Sequence, residues 1–162
     1  PKKAGGLRPI RDLPPLTVFL WSDKFMMLTQ FQVFSALDPG DWMVVLDLQD
    51  AYFHISVLQS HIPYLQFQVG QEHFQFSVHL FDLTSAPQVF TKVMVVVVAH
   101  LWRLGIPVSP YLNDWLLKVG LPQAVINHLQ MMADQLTSLG FCIDVPKSHL
   151  NLNRKSVVEG KM

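Results

Sequence analysis

Val108-Ser109-Pro110-Tyr111-Leu112-Asn113-Asp114-Trp115-Leu116-Leu117-Lys118-Val119 reads as two strands of apolar and aromatic residues around a short polar tip. Gly105-Ile106-Pro107 precedes it and Gly120 ends it, so turn-forming residues bound the unit on both sides. The predicted hairpin runs Val108–Tyr111 and Trp115–Val119, with Leu112-Asn113-Asp114 as its tip. A carboxylate there is carried on two stiff strands, which suits a site that must hold its geometry. Asn113 is the odd residue, an amide beside an acid.

The neighbouring segments supply the rest of a small mixed fold. Pro122 sits at a first helical position, and Val125, Leu129, Met132, Leu136 and Leu139 repeat at steps of four and three, giving one apolar stripe that Gly140 closes. Phe141–Val145 is expected as a further strand, ahead of Pro146-Lys147-Ser148. Upstream, Trp42–Leu46 is a buried strand that delivers Asp47 at its end; standing alone, that aspartate reads sooner as an N-cap or turn residue than as a metal ligand. From Tyr64 to Val78 the alternation is regular: Leu65, Phe67 and Val69, then Phe74, Phe76 and Val78, around Gly70-Gln71-Glu72. This predicts a hairpin belonging to the core architecture. A helix is expected from Thr84 or Ser85 through Ala86-Pro87 toward Arg103, although Val93 and Val95–Val98 favour strand. Met26–Leu37 is a helix or turn segment closed by Pro39-Gly40-Asp41, and Ile10–Leu20, with Pro14-Pro15, is an extended connector. The order implies an α+β fold with an antiparallel sheet backed by helices.

Composition limits the functions this chain can carry. Half of the 162 residues are hydrophobic and 15% are charged, which excludes a solvated disordered segment. Lys plus Arg and Asp plus Glu number 12 each, so nucleic acid would have to be bound by a local patch. A single cysteine, Cys142, forms no internal disulfide and fits a reducing, intracellular compartment, cytoplasm or nucleus. The seven histidines follow no metal-binding spacing. The first residues, with Lys2, Lys3 and Arg8 flanking glycines in place of an apolar core, do not read as a signal peptide, and the longest apolar run, Val93–Trp102, is about half of the ~20 residues that span a bilayer. The start at Pro1 is expected of a piece of a longer product.

In chain order, five stretches carry a resemblance. They are Lys2-Lys3-Ala4-Gly5-Gly6-Leu7-Arg8-Pro9; Leu46-Asp47-Leu48-Gln49-Asp50-Ala51-Tyr52-Phe53; Leu83 to Lys92, with Ala86-Pro87 and Phe90; Tyr111-Leu112-Asn113-Asp114-Trp115; and Leu139-Gly140 with Pro146-Lys147-Ser148. Together they resemble the ordered motifs of a reverse transcriptase, over residues 2–152, with 153–162 an unassigned tail. The wording of the second and third stretches is most similar to the DIRS-like retroelements. The resemblance implies a fingers-and-palm fragment without a thumb. It also implies nucleotidyl transfer to a primer 3′-hydroxyl on an RNA or DNA template, with two Mg²⁺ ions about 4 Å apart. On that mapping Asp47, Asn113 and Asp114 are the catalytic positions, and Asp47 and Asp114 are the metal ligands. Lys3 (or Lys2) and Arg8 would neutralise the triphosphate of the incoming nucleotide. Tyr52 would lie under its sugar, Phe81 would line its site, and Lys147 would donate a proton on the pyrophosphate side.

Three departures stand out from the family pattern. Asn113 replaces the first aspartate of a Tyr-x-Asp-Asp tip, keeping one carbonyl oxygen but losing the charge that holds a divalent ion. His79-Leu80-Phe81-Asp82 stands where the family has Leu-Pro-x-Gly, so Asp82 adds a side chain and a negative charge. Arginine-rich positions are thinned, as in Asp12-Leu13-Pro14-Pro15. A degenerate polymerase fragment with absent or severely reduced activity is therefore expected. A non-catalytic nucleic-acid-binding module, or an inert retroelement remnant, is the alternative.

Overall fold

The computed structural model describes residues 16, 19–20, 25–27, 29–35, 37–38 and 40–154. Lys2, Lys3, Arg8, Asp12–Pro15 and residues 155–162 lie outside them, as does most of the expected connector Ile10–Leu20.

Trp42–Asp47 (β1), Val108–Tyr111 (β4), Asp114–Val119 (β5) and His149–Arg154 (β6) form one sheet in the order β4-β5-β1-β6, antiparallel throughout. Side chains alternate across a strand, so each face has its own set. Val44 and Leu46 of β1 join Trp115, Leu117 and Val119 of β5 in the main core. That core is closed by helix α2 (Ala86–Arg103) and helix α3 (Pro122–Ser138). Met43 and Leu116 face the other way and make a smaller cluster with Val33 of the short helix α1 (Gln30–Ser35), inside the expected Met26–Leu37 segment. Strand β1 is thus covered on both faces, which is why its sequence is a continuous apolar run.

The valine-rich stretch is helical. Phe90, Met94, Val97, Val98 and Leu101 fall on one helical face and are buried, and packing of that face outweighs the strand preference of the valines. Both long helices stop the same way. Gly105 (φ 76°) and Gly140 (φ 87°) take the left-handed conformation that favours glycine. The next N–H, of Ile106 or Phe141, then reaches back to Leu101 O or Leu136 O at 3.0 Å. Phe90 is only 1% exposed and meets the Tyr52 ring edge-on at 5.5 Å. Phe90→Ala should therefore cost about 3–5 kcal/mol, measured as a fall in the urea unfolding midpoint at unchanged slope.

Two expectations need correction. The hairpin forms as Gln66–Val69 (β2) paired with Glu72–Gln75 (β3), but it is a separate ribbon outside the core. Val69 is 60% and Phe74 42% exposed; Phe67 stacks on Phe74 and Phe76, and only the base of the hairpin reaches the core, where Leu65 is buried and Phe76 packs against it. Alternation requires one apolar face; it does not supply a layer to bury it. Likewise Phe141–Val145 is no strand. Only Ile143 pairs, with Leu48, before the chain turns at Asp144, and the added strand is His149–Arg154. That strand continues past residue 152, where the sequence reading ended the domain: Asn153 and Arg154 pair with Met43 and Trp42. Among the described residues no helix is long and apolar enough to cross a membrane.

Candidate active site

Asp47 and Asp114 are direct partners across β1 and β5. By alternation they share the face of Met43, Val45 and Leu116, turned away from α2 and α3. Like charges directly opposite on neighbouring strands oppose pairing, so this arrangement works against the stability of the sheet end. The tip between β4 and β5 is tighter than the sequence implied. Asp114 already belongs to β5, and Leu112-Asn113 alone make the turn. Leu112 adopts φ 54°, a conformation that costs a branched residue on the order of 1 kcal/mol. An apolar cavity of about 160 Å³ lies beside this tip, bounded by Met26, Phe90, Met94, Pro110 and Tyr111.

Asn113 is tied to the end of β1 twice, once to Asp47 and once to Leu48. Its side-chain Nδ2 donates to Asp47 Oδ2 at 2.7 Å, and its backbone oxygen accepts the Leu48 N–H at 2.9 Å. The amide thus turns a donor toward the acid it was expected to assist. Asp47 is 7% exposed; burial raises its pKa, and Asp114 raises it further, while Lys147 and the Asn113 hydrogen bond act in the opposite direction.

The segment after α3 completes the corner. Asp144 donates its N–H to Asp47 O (2.9 Å), Ser148 Oγ accepts the Asp47 N–H (3.0 Å), and Lys147 pairs through Nζ with the Asp144 carboxylate. That hydrogen bond raises the Lys147 pKa, assisted by the charges of Asp144, Asp47 and Asp50. A lysine so held is a weaker proton donor than a free one.

Of the sequence-derived residues, Asp47, Asn113, Asp114 and Lys147 come together. Tyr52 and Phe81 meet each other, rings edge-on at 5.0 Å. Tyr52 is 8% exposed, and burial raises its phenol pKa, with Tyr111 adding to the effect. Asp82 is exposed on the loop before α2. Lys3 and Arg8 lie outside the described residues. Asp144 and the contact of Ser148 with Asp47 went unread in the sequence; only the Pro146-Lys147-Ser148 motif pointed to the region.

Among the described residues no three His, Cys, Asp or Glu side chains gather as a metal-binding group. Two facing carboxylates, one of them with its pKa raised by burial and then by its neighbour, still suit a single hard cation, which would relieve their repulsion. The nearby Asn113 nitrogen and the Lys147 ammonium do not suit a second.

Residues 1–158 match the family model for reverse transcriptase (RNA-dependent DNA polymerase). The genome polyproteins of two Petunia vein clearing virus isolates, Shepherd and Hohn, are 31% identical over 91 residues, 56% of this chain and 4% of theirs. The crystal structure of the prototype foamy virus protease-reverse transcriptase CSH mutant shares the fold, with a TM-score of 0.77 and 17% identity over 92% of this chain and 20% of that one. The chain thus spans a small part of the length of each relative.

Proposed function

This chain belongs to the reverse transcriptase family, and from that membership we propose that it is the fingers-and-palm part of an RNA-directed DNA polymerase whose activity is absent or severely reduced. The observation that carries the second half is the Asn113 amide donating to Asp47 Oδ2 at the corner where the chemistry would occur.

In the proposed reaction a primer 3′-oxygen bonds to the α-phosphorus of a deoxynucleotide, the bond to the pyrophosphate oxygen breaks, and the 3′ proton is lost to solvent. Asp47 and Asp114 would hold Mg²⁺, which when bound acidifies the 3′-hydroxyl and offsets phosphate charge. Asn113 leaves this ligand set one anionic oxygen short. Lys147 would protonate the leaving pyrophosphate, but must first leave Asp144. Tyr52 and Phe81 would form an aromatic wall near the nucleotide sugar. Lys3 and Arg8 would meet the triphosphate, and the exposed Asp82 would repel phosphate nearby. The template is RNA or DNA carrying a primer. Asp50-Ala51-Tyr52-Phe53-His54-Ile55 and Ala86-Pro87-Gln88-Val89-Phe90-Thr91-Lys92 support a DIRS-like origin, and a tyrosine-recombinase reading frame next to the natural coding sequence would test it. The one thiol, exposed Cys142, fits an intracellular, reducing setting.

Binding of a labelled template–primer across a salt series tests the frame. Affinity should fall steeply, with a log–log slope of several units, as counterions are released from the contacted phosphates. Absence of binding at low salt would leave an inert remnant. Binding that persists with Asp47, Asp114 and Asn113 all replaced by alanine, in a chain that no acidic substitution makes active, would favour a binding module.

A further inference from the structure

We propose that Ser148 is a positioning residue for the Asp47 carboxylate, its hydroxyl linking the Asp47 N–H to the Asp144 carbonyl so that the end of β1 is held in one geometry. The importance of that geometry rests on the reading of Asp47 as a reaction-centre ligand.

On its β6 side the sheet does not provide this support. The pairing of β1 with β6 ends at Val45 and His149, after an irregularity between Met43 and Val45. Asp47 lies two residues beyond, nearly buried, and a buried N–H needs an acceptor. Ser148 Oγ accepts it at 3.0 Å and donates in turn to Asp144 O at 2.8 Å. The Asp144 N–H closes the ring on Asp47 O at 2.9 Å. The turn that presents these groups is itself held, because Asp144 O also accepts the N–H groups of Lys147 (3.1 Å) and Ser148 (2.9 Å). One short turn therefore fixes both backbone polar groups of Asp47, and with them the direction of its side chain. The same turn carries Lys147, so carboxylate and ammonium are placed together.

Ser148→Ala removes the acceptor, and Ser148→Thr keeps a hydroxyl at the same branch point. Nuclear magnetic resonance of the full chain gives two readouts: hydrogen exchange at the Asp47 amide, and the Asn113 side-chain amide signals, which report its contact with Asp47 Oδ2. In Ser148→Ala, exchange at Asp47 should quicken on the order of tenfold, the effect of one ordinary hydrogen bond, and the Asn113 signals should move. Amides of α3 should keep their exchange rates, and Ser148→Thr should restore both readouts. Should the alanine variant not fold, Ser148→Cys, with its weaker acceptor, should move the Asn113 signals in the same direction. Unchanged Asp47 exchange and Asn113 signals in the folded alanine or cysteine variant would overturn the proposal, as would a threonine variant that restores neither. Neither readout needs nucleotide, template or turnover, so failure of the polymerase reading and failure of this one are separable.

Discussion

Asn113→Asp is expected to raise nucleotide incorporation by about a hundredfold or more, because it supplies the anionic oxygen missing from the corner. A hundredfold corresponds to about 2.7 kcal/mol of transition-state stabilisation, a modest demand on a group that would bind a divalent ion directly. The same change should weaken the chain when no cation is present. It removes the Nδ2 donor from Asp47 Oδ2 and sets another negative charge against a carboxylate already burdened by Asp114. A loss of about 1–3 kcal/mol is expected in chelator. Mg²⁺ should recover it, because a ligand that binds only the folded state stabilises that state. The thermal midpoint of Asn113→Asp should therefore respond to Mg²⁺ much more strongly than that of the unmodified chain. Equal responses would show that Asn113 is not what limits ion binding. Asp82→Gly, which removes a charge from the loop before α2, should add to the gain, so that the double change exceeds either single one.

Asp47→Asn is expected to do the opposite: it should make the fold more stable at neutral pH and abolish whatever ion binding the corner retains. Burial first, then Asp114, hold the Asp47 pKa above its unfolded value, so the folded chain binds this proton more tightly than the unfolded one. The resulting stability is fully present below the unfolded pKa and is lost as pH rises through the folded pKa. At neutral pH the ionised Asp47 is therefore a net burden. Replacing it should return a few tenths to about 1 kcal/mol, the range for like charges facing each other across a sheet, and the advantage should shrink as pH falls into the carboxylate range. Urea unfolding of both proteins from pH 4 to 8 tests this. A variant less stable than the parent at pH 7 would mean that the attraction of Lys147 outweighs burial and repulsion.

Periodicity and punctuation made much of the fold legible. The Val125–Leu136 stripe with Gly140 gave α3 and its end, and Ala86-Pro87 gave the start of α2 despite the valines. What a sequence pattern lacks is the identity of the covering layer. Phe67, Phe74 and Phe76 alternate as a core strand pair would, yet Phe74 is exposed, Phe67 stacks on the other two rings, and of the three only Phe76 reaches the core. Phe141, Ile143 and Val145 alternate too, but backbone bonds at Asp144 turn the chain before a ladder forms. His149–Arg154, with Leu150 and Leu152 alternating with polar residues, carried the signal of the true strand. At the corner, Asp47, Asn113, Asp114 and Lys147 were readable because motifs fix residue types. Asp144 and Ser148 act on the backbone of Asp47, and such contacts leave no motif of their own.

A reverse transcriptase palm weakened at Asn113, as proposed above, has a signature in single-nucleotide primer extension with Mg²⁺ and with Mn²⁺. The unmodified chain and Asn113→Asp would be run side by side. The unmodified chain should extend primer at least about a hundredfold more slowly than Asn113→Asp. Near-normal incorporation by the unmodified chain, with no gain from the aspartate, would contradict it.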